Sequence, residues 1–347
     1  MKKAASSGLP CLVEEVDEFL SAPEPGVVES LARGSGNYLV LGAGGKMGFH
    51  VCRMLRRGLD AAGVAGRVIG VSRFGNAADR AAFEKAGIET IVCDLSDAVG
   101  VESLAPEDNV IFMAGAKFGT SDRPDILQRM NVEMPRLVAE HFRSSRITAF
   151  STGCVYSYVP TTSRGATEDS PTEPVGEYAL SCLGRERAFQ EASLRHGTKV
   201  VLIRLNYSVE FRYGVLVDIA GKVLRGEPVD VGVGHVNLIW QRDAVAHTLL
   251  AQEYAESPAL PLNVTGRQVY RVRELAERFG RIFGKPPVFT GSEAAEVWLS
   301  DASRACALFG DPPTGIDQMI DWVAAWLQAE LPTLNKPTGF EKRDGKF

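Results

Sequence analysis

Asn37-Tyr-Leu-Val-Leu-Gly-Ala-Gly-Gly-Lys-Met-Gly-Phe-His-Val-Cys-Arg-Met-Leu55 is the stretch whose reading decides the fold. Residues 38–42 begin as a short apolar run, the pattern of a strand buried on both faces. Gly42, Gly45 and Gly48 then follow at three-residue steps. A helical pattern opens next, with Met47, Val51, Met54 and Leu55 along one side and basic residues along the other. Strand, glycine turn and helix together aim free backbone N–H groups and a positive helix end at a diphosphate. A side chain at the turn would hold the phosphates off the backbone. A tight turn in some other α/β protein is the plain alternative, but the flanking strand and helix favour a dinucleotide site that includes Lys46 and Met47.

The rest of the chain is consistent with an ordinary soluble protein. Its 347 residues are 45% hydrophobic and 23% charged, with a formal net charge of −5. That length buries a sizeable core, and that charge offers no basic field for nucleic acid or an anionic membrane. No apolar run approaches the ~20 residues needed to span a bilayer, and the Lys-containing start lacks the apolar centre of a signal peptide. The cysteines at 11, 52, 93, 154, 182 and 306 form no Cys-x-x-Cys pair, which suits reduced thiols better than disulfides or a metal site. The expectation is a cytoplasmic protein with no metal, no membrane contact and no nucleic-acid partner.

From Tyr38 onward strands and helices alternate. Strands are predicted near 38–42, 67–72, 90–93, 109–113, 147–152 and 199–204, with helices near 46–58, 77–86, 124–143 and 176–195. This is the pattern of a Rossmann-like α/β fold, a doubly wound parallel sheet. Residues 1–36 read as a leader that packs on the sheet edge or serves a dimer. Residues 37–205 read as the NAD(P)-binding domain. Residues 206–331 read as a smaller substrate-binding region, from which about 236–266 returns to the first domain. The Lys-, Pro- and Gly-rich stretch 332–347 reads as a surface arm.

The second strand ends at Ser72-Arg73, where an acidic residue would grip the ribose 2′-hydroxyl of NAD. Serine and arginine instead suit a 2′-phosphate, so NADP is favoured over NAD, with a plain surface arginine as the alternative. Asp94-Leu95 closes the third strand. Asp94 is placed to meet the adenine or to cap the next helix.

Four more segments carry a resemblance: Ala114-Gly115-Ala116-Lys117 after the fourth strand, Asn131-Val132, Ser151-Thr152 with Tyr156, and Tyr178 within Glu177-Tyr-Ala-Leu-Ser-Cys182. With the Gly-x-x-Gly-x-x-Gly turn, they make the chain resemble the extended short-chain dehydrogenase/reductases, the NAD-dependent epimerase/dehydratase family. The Ala-Gly-x-Lys segment is most similar to that of the UDP-galactose 4-epimerases. The resemblance covers roughly 37–285. It implies that Gly42, Gly45 and Gly48 bind the diphosphate, and that Ala114, Gly115, Lys117, Ser151 and Asn206 line the cofactor. It further implies that Asn131 supports the site, Thr152 anchors the reacting oxygen, and Tyr178 carries its proton while hydride moves to or from nicotinamide.

One position departs from the family. Tyr-x-x-x-Lys is its pattern, and here Cys182 stands where the lysine would favour the tyrosinate. Lys117 can supply that charge from the opposite side; Arg185, two turns along the helix from Tyr178, is a poorer substitute. A different base, with His235 as candidate, or loss of the family's catalysis are the other readings, and Cys182 as a nucleophile is the weakest. On the substrate side stand Tyr156, Tyr207, Arg212, His235, Asn237 and Trp240, the last able to stack on a sugar or simply to pack. The expected function is an NAD(P)-dependent oxidoreductase or epimerase acting on a sugar or sugar derivative. The alternative is an NAD(P)-binding regulator or scaffold with altered catalysis. The resemblance leaves a homodimer open, since helices flanking the active site pair readily in proteins of this type, but the sequence does not decide the oligomeric state.

Overall fold

Seven parallel strands form the central sheet of the computed structural model, which describes residues 9–34, 36–117, 119–120, 123–336 and 338–345. They are β1 (Tyr38–Leu41), β2 (Val68–Ser72), β3 (Glu89–Val92), β4 (Asn109–Phe112), β5 (Arg146–Thr152), β6 (Lys199–Leu205) and β7 (Leu260–Val264). Their order across the sheet is β7-β6-β5-β4-β1-β2-β3. The order reverses between β1 and β4, and a crevice opens at the carboxyl ends of strands where that happens. Leu41 pairs in register with Val71 on one side and Phe112 on the other, so β1, β2 and β4 end level. β5 and β6 run on to Thr152 and Leu205, which places the fifth strand's end beside the crevice.

The continuous apolar runs follow from burial on both sides, since all four residues of β1 are buried. Val40, Ile111, Val201 and Ile203 face the layer made by α3 (Gly48–Ala62) and the helix Gln241–Ala251, while Leu39, Leu41, Val110 and Phe112 face the opposite helical layer. Each such side chain contributes about 1.5–3 kcal/mol by leaving water.

A second core lies in the C-terminal part, around Phe211, Ile219, Trp240, Phe279, Ile320 and Trp326. The leader does not sit on the sheet edge. Its first helix, α1 (Val13–Leu20), buries Val16 and Leu20 in this second core, and α2 (Pro25–Arg33) buries Val27 and Leu31 against α3. Apolar positions on two short helices thus serve two different lobes. The return to the sheet is made by β7 on β6 and by Gln241–Ala251, which packs on α3.

The stretch 332–347 is not simply a surface arm. Thr338 donates its N–H and hydroxyl to Asp218 at 2.9 and 2.6 Å, and Phe340 is buried in the second core. Residues 346 and 347 lie outside the described residues. The predicted helix over 124–143 is broken. Pro124–Gln128 is α-helical, Arg129–Glu133 forms a π-helical turn, and Met134–His141 resumes the α-helix. Such a widened turn inside a helix is rare and is found mostly at functional positions; here it carries Asn131.

Candidate functional site

The glycine turn is pressed against its surroundings. Gly42 has φ +87°, and a Cβ there would stand 2.6 Å from the Ala114 nitrogen; one on Gly48 would stand 2.2 Å from the Ala43 oxygen. Only glycine fits at these two positions, and the N–H groups of Gly42, Gly45 and Gly48 close the turn on the carbonyls of Val71, Gly42 and Gly45 at 2.9, 3.0 and 3.1 Å. The N-terminus of α3 has no side-chain cap and no acidic residue in its first turn, which leaves its positive end for an anion. Met47 and Leu95 do not offer side chains there, since both are buried in the core.

At the second strand end, Ser72 lies over the turn, its hydroxyl 2.4 Å from where a Cβ on Gly44 would be, and Arg73 is exposed. Asp94 accepts from the Ser96 N–H and hydroxyl at 3.0 and 2.8 Å, and those bonds hold its carboxyl below the ordinary range. It does not cap the next helix: Asp97 does, through the Val99 N–H.

Tyr178 is the second residue of its helix, Glu177–His196, here α4. The Lys117 ammonium lies over its ring, 5.4 Å from the centroid. Burial pushes the phenol well above its usual range; the Cys182 thiol adds to this and Arg185 opposes it. The Cys182 thiol, one turn along the same helix, works against ionisation of the phenol. Lys117 is pushed the other way, its ammonium disfavoured by burial and supported by Cys154 and Cys182. Lys46 reaches across the cleft to Tyr213, its amine 3.1 Å from the ring centroid. Desolvation between the cleft walls lowers that amine to about 7, against Glu210.

Asn131 is fully buried and holds the loop after β4. It exchanges bonds with the Ala116 N–H and carbonyl, both at 2.9 Å, and donates to the Ser181 hydroxyl at 2.9 Å. The Thr152 hydroxyl accepts from the Cys154 N–H at 3.3 Å at the end of β5. Ser151 points to the other side of the strand and donates to Glu186 at 2.5 Å, so its side chain is taken up internally. Glu186 also grips Arg204 through two bonds of 3.0 and 2.7 Å.

Several residues expected on the substrate side are structural. Tyr156 is 1% exposed, accepts from Arg204 at 2.7 Å and donates to Asn263 at 2.9 Å. Trp240 has no exposed surface and packs against Phe211 and Trp322, so it is core and no sugar platform. Asn237 is fully buried, accepts from Asn206 at 2.8 Å and donates to the Ser300 carbonyl; Asn206 is thereby occupied too. Arg212 is held by Glu210 at 3.2 Å and Asp17 at 3.4 Å. His235 pairs with Arg271 in a two-stranded ladder remote in sequence from Tyr178. Tyr207 packs against the second core and has φ +39°, a left-handed conformation that costs about 1–3 kcal/mol in a non-glycine residue and clusters at functional segments.

Sequence reasoning ranks Arg185 behind Lys117 and assigns Cys154 no role. Both act on the Tyr178 phenol. Helical periodicity alone is the available signal for Arg185; nothing local marks Cys154. Among the described residues no group of three or more His, Cys, Asp or Glu is arranged to hold a metal, and no helix is long and apolar enough to cross a membrane.

Residues 38–258 match the profile of the NAD dependent epimerase/dehydratase family, which is more than half of the chain. The chain belongs to that family. Comparison with curated protein sequences finds no match. Among solved structures, the family fold recurs in the UDP-glucose 4-epimerase of Thermus thermophilus in complex with NAD. That protein is 21% identical, with 84% of this chain and 99% of that one covered and a TM-score of 0.69. The UDP-glucuronic acid 4-epimerase of Bacillus cereus with NAD is 18% identical over 84% and 98%, with a TM-score of 0.69. DesIV, the dTDP-glucose 4,6-dehydratase of Streptomyces venezuelae, is 18% identical over 84% and 97%, with a TM-score of 0.72.

Proposed function

We propose that this family member is an NAD(P)-dependent oxidoreductase or epimerase that acts on a sugar or sugar derivative at a carbinol carbon. One observation supports the reading: the Lys117 ammonium lies 5.4 Å from the Tyr178 ring centroid, on the loop whose Ala114 packs against the glycine turn at Gly42. The turn at Gly42, Gly45 and Gly48 fits a pyrophosphate, with Lys46, Ala114 and Gly115 beside it. Nicotinamide, when bound, takes or gives a hydride. Tyr178 moves the proton of the reacting hydroxyl, Thr152 anchors that oxygen, Asn131 fixes the loop that presents Lys117, and Lys117 favours the phenolate. Tyr207 and Tyr213 shape the substrate side. The solved relatives with UDP-glucose, UDP-glucuronic acid or dTDP-glucose in their names point to nucleotide sugars as the first substrates to try.

Finer readings rest on single features. Ser72 and the exposed Arg73 favour NADP, although the solved relatives above hold NAD. Leu180 and Leu194, 50% and 70% exposed on α4, support a homodimer through that helix. Six free cysteines support a cytoplasmic setting.

The Cys182 thiol, which opposes ionisation of the phenol where the family has a lysine, favours one second reading, a nucleotide-binding regulator without turnover. Purified protein with NAD, NADP and a nucleotide-sugar panel separates the two. Nicotinamide absorbance that changes with one sugar and is lost in Tyr178→Phe supports the enzyme. Cofactor binding with no turnover across the panel supports the regulator.

A further inference from the structure

Arg185 is a buried cation without a counter-ion. Its side chain is 8% exposed, and among the described residues no carboxylate lies within ion-pair distance of it. Nη2 donates to the Asn131 Oδ1 at 2.6 Å and Nη1 to the Phe150 carbonyl at 3.1 Å, while Nε is buried with no acceptor. Arg204 stands in contrast, buried but clasped by Glu186 at 2.7 Å. An unpaired buried guanidinium is costly unless a negative charge arrives beside it. Space has been made for this one: a Cβ on Gly115 would lie 2.1 Å from its Nη2.

Tyr178, Cys182 and Arg185 stand at i, i+4 and i+7 on α4, which is one helix face. Among the described residues, the groups that act on the phenol include the two thiols of Cys154 and Cys182, the Lys117 ammonium and Arg185. Neither thiol carries positive charge. We propose that Arg185 is a positioning residue that stabilises the ionised phenol of Tyr178, held for that purpose by Asn131 and admitted by Gly115, in place of a cation at position 182. This rests on the proton-carrying role of Tyr178 proposed above. The direction agrees with the charge balance at both groups, where burial raises Tyr178 and Cys182 and Arg185 lowers them.

A purely structural arginine, one that only ties α4 to β5, would leave the phenol's ionisation where it is. The test therefore reads that ionisation directly. A fluorinated tyrosine, more acidic than the natural one, is placed at 178 in the full chain, and its phenolate absorbance is titrated. Arg185→Met is expected to raise the midpoint by about one pH unit, the tenfold effect of unit charges about 10 Å apart at an effective dielectric near 20. Arg185→Lys should move it by less than about half of that. A shift under about a third of a unit, about twofold, in folded Arg185→Met would overturn the proposal. Where Arg185→Met does not fold, Gly115→Ala displaces the guanidinium and keeps its charge; an upward shift supports the proposal and an unmoved midpoint overturns it. Turnover is measured separately on the natural protein. A midpoint that moves in a chain with no turnover rejects the enzymatic reading and leaves the Arg185–Tyr178 coupling standing.

Discussion

Replacing Lys117 by methionine removes an ammonium from above the Tyr178 ring and leaves a side chain of similar length. The Nζ stands 5.4 Å from the ring centroid. Taken as the order of the charge separation, that distance gives an attraction of about 3 kcal/mol at an effective dielectric near 20. That is about two pH units on the phenol, or about 100-fold in phenolate at a fixed pH. Hydride transfer followed by nicotinamide absorbance, from about pH 6 to about pH 10, should show Lys117→Met slowed by about 100-fold near neutrality, with its alkaline rise displaced upward by about two units. Lys117→Arg should recover part of the rate. The ammonium is the working form, and burial lowers its pKa below the usual lysine value. The natural protein should therefore lose rate as pH rises through that lowered value, before about 10.4, and Lys117→Met should lack this descending limb. Turnover in Lys117→Met within about threefold of the natural protein, with the same pH profile, would refute the assignment of Lys117 as the electrostatic partner.

Three other changes probe the fold and the cofactor site. Gly48→Ala drives a Cβ to 2.2 Å from the Ala43 oxygen, so the turn must open; titration of reduced cofactor by fluorescence should find at least about tenfold weaker binding, about 1.4 kcal/mol. Ser72→Asp places a carboxylate at the end of β2 and should move the ratio of NADP to NAD affinity toward NAD by about tenfold, whereas an unchanged ratio would count against the Ser72–Arg73 reading. His247 is 3% exposed, with its Nδ1 unpartnered, and burial lowers it to about 4 from 6.5. Because the folded value is the lower one, its contribution to stability is complete above about 6.5 and fades as pH falls toward about 4, by about 2 kcal/mol at about pH 5. Urea unfolding at about pH 7 and about pH 5 should show that loss in the natural protein and a smaller one in His247→Leu.

What the sequence makes legible here is local. Gly42, Gly45 and Gly48 are readable because turn, spacing and strand context lie within one short segment, and the alternation that follows dictates a parallel sheet. Tyr178 and its Cys182 neighbour are readable for the same reason, as one turn of one helix. Partnerships across the chain are not. Tyr156 looks like a site residue until it meets Asn263 and Arg204, and Trp240 until Phe211 and Trp322 enclose it. Polarity and aromaticity mark a residue as needing a partner without saying whether that partner is protein or ligand. Helical rise alone does not show where the Arg185 guanidinium lies, because rise locates a Cα and leaves out the length of the side chain and the glycine at 115 beside it. The π-helical turn at Arg129–Glu133 leaves no periodic signature, yet it is the segment that carries Asn131. The stretch after residue 331 reads as polar and unstructured by composition, while Phe340 within it buries itself in the second core.

A crystal structure of the protein with NADP or NAD bound tests the central claim most directly. The account predicts the diphosphate on the backbone N–H groups of the turn from Gly42 to Gly48, and the nicotinamide ring beside the phenol of Tyr178. A cofactor seated elsewhere, or a nicotinamide lying away from that phenol, would contradict it.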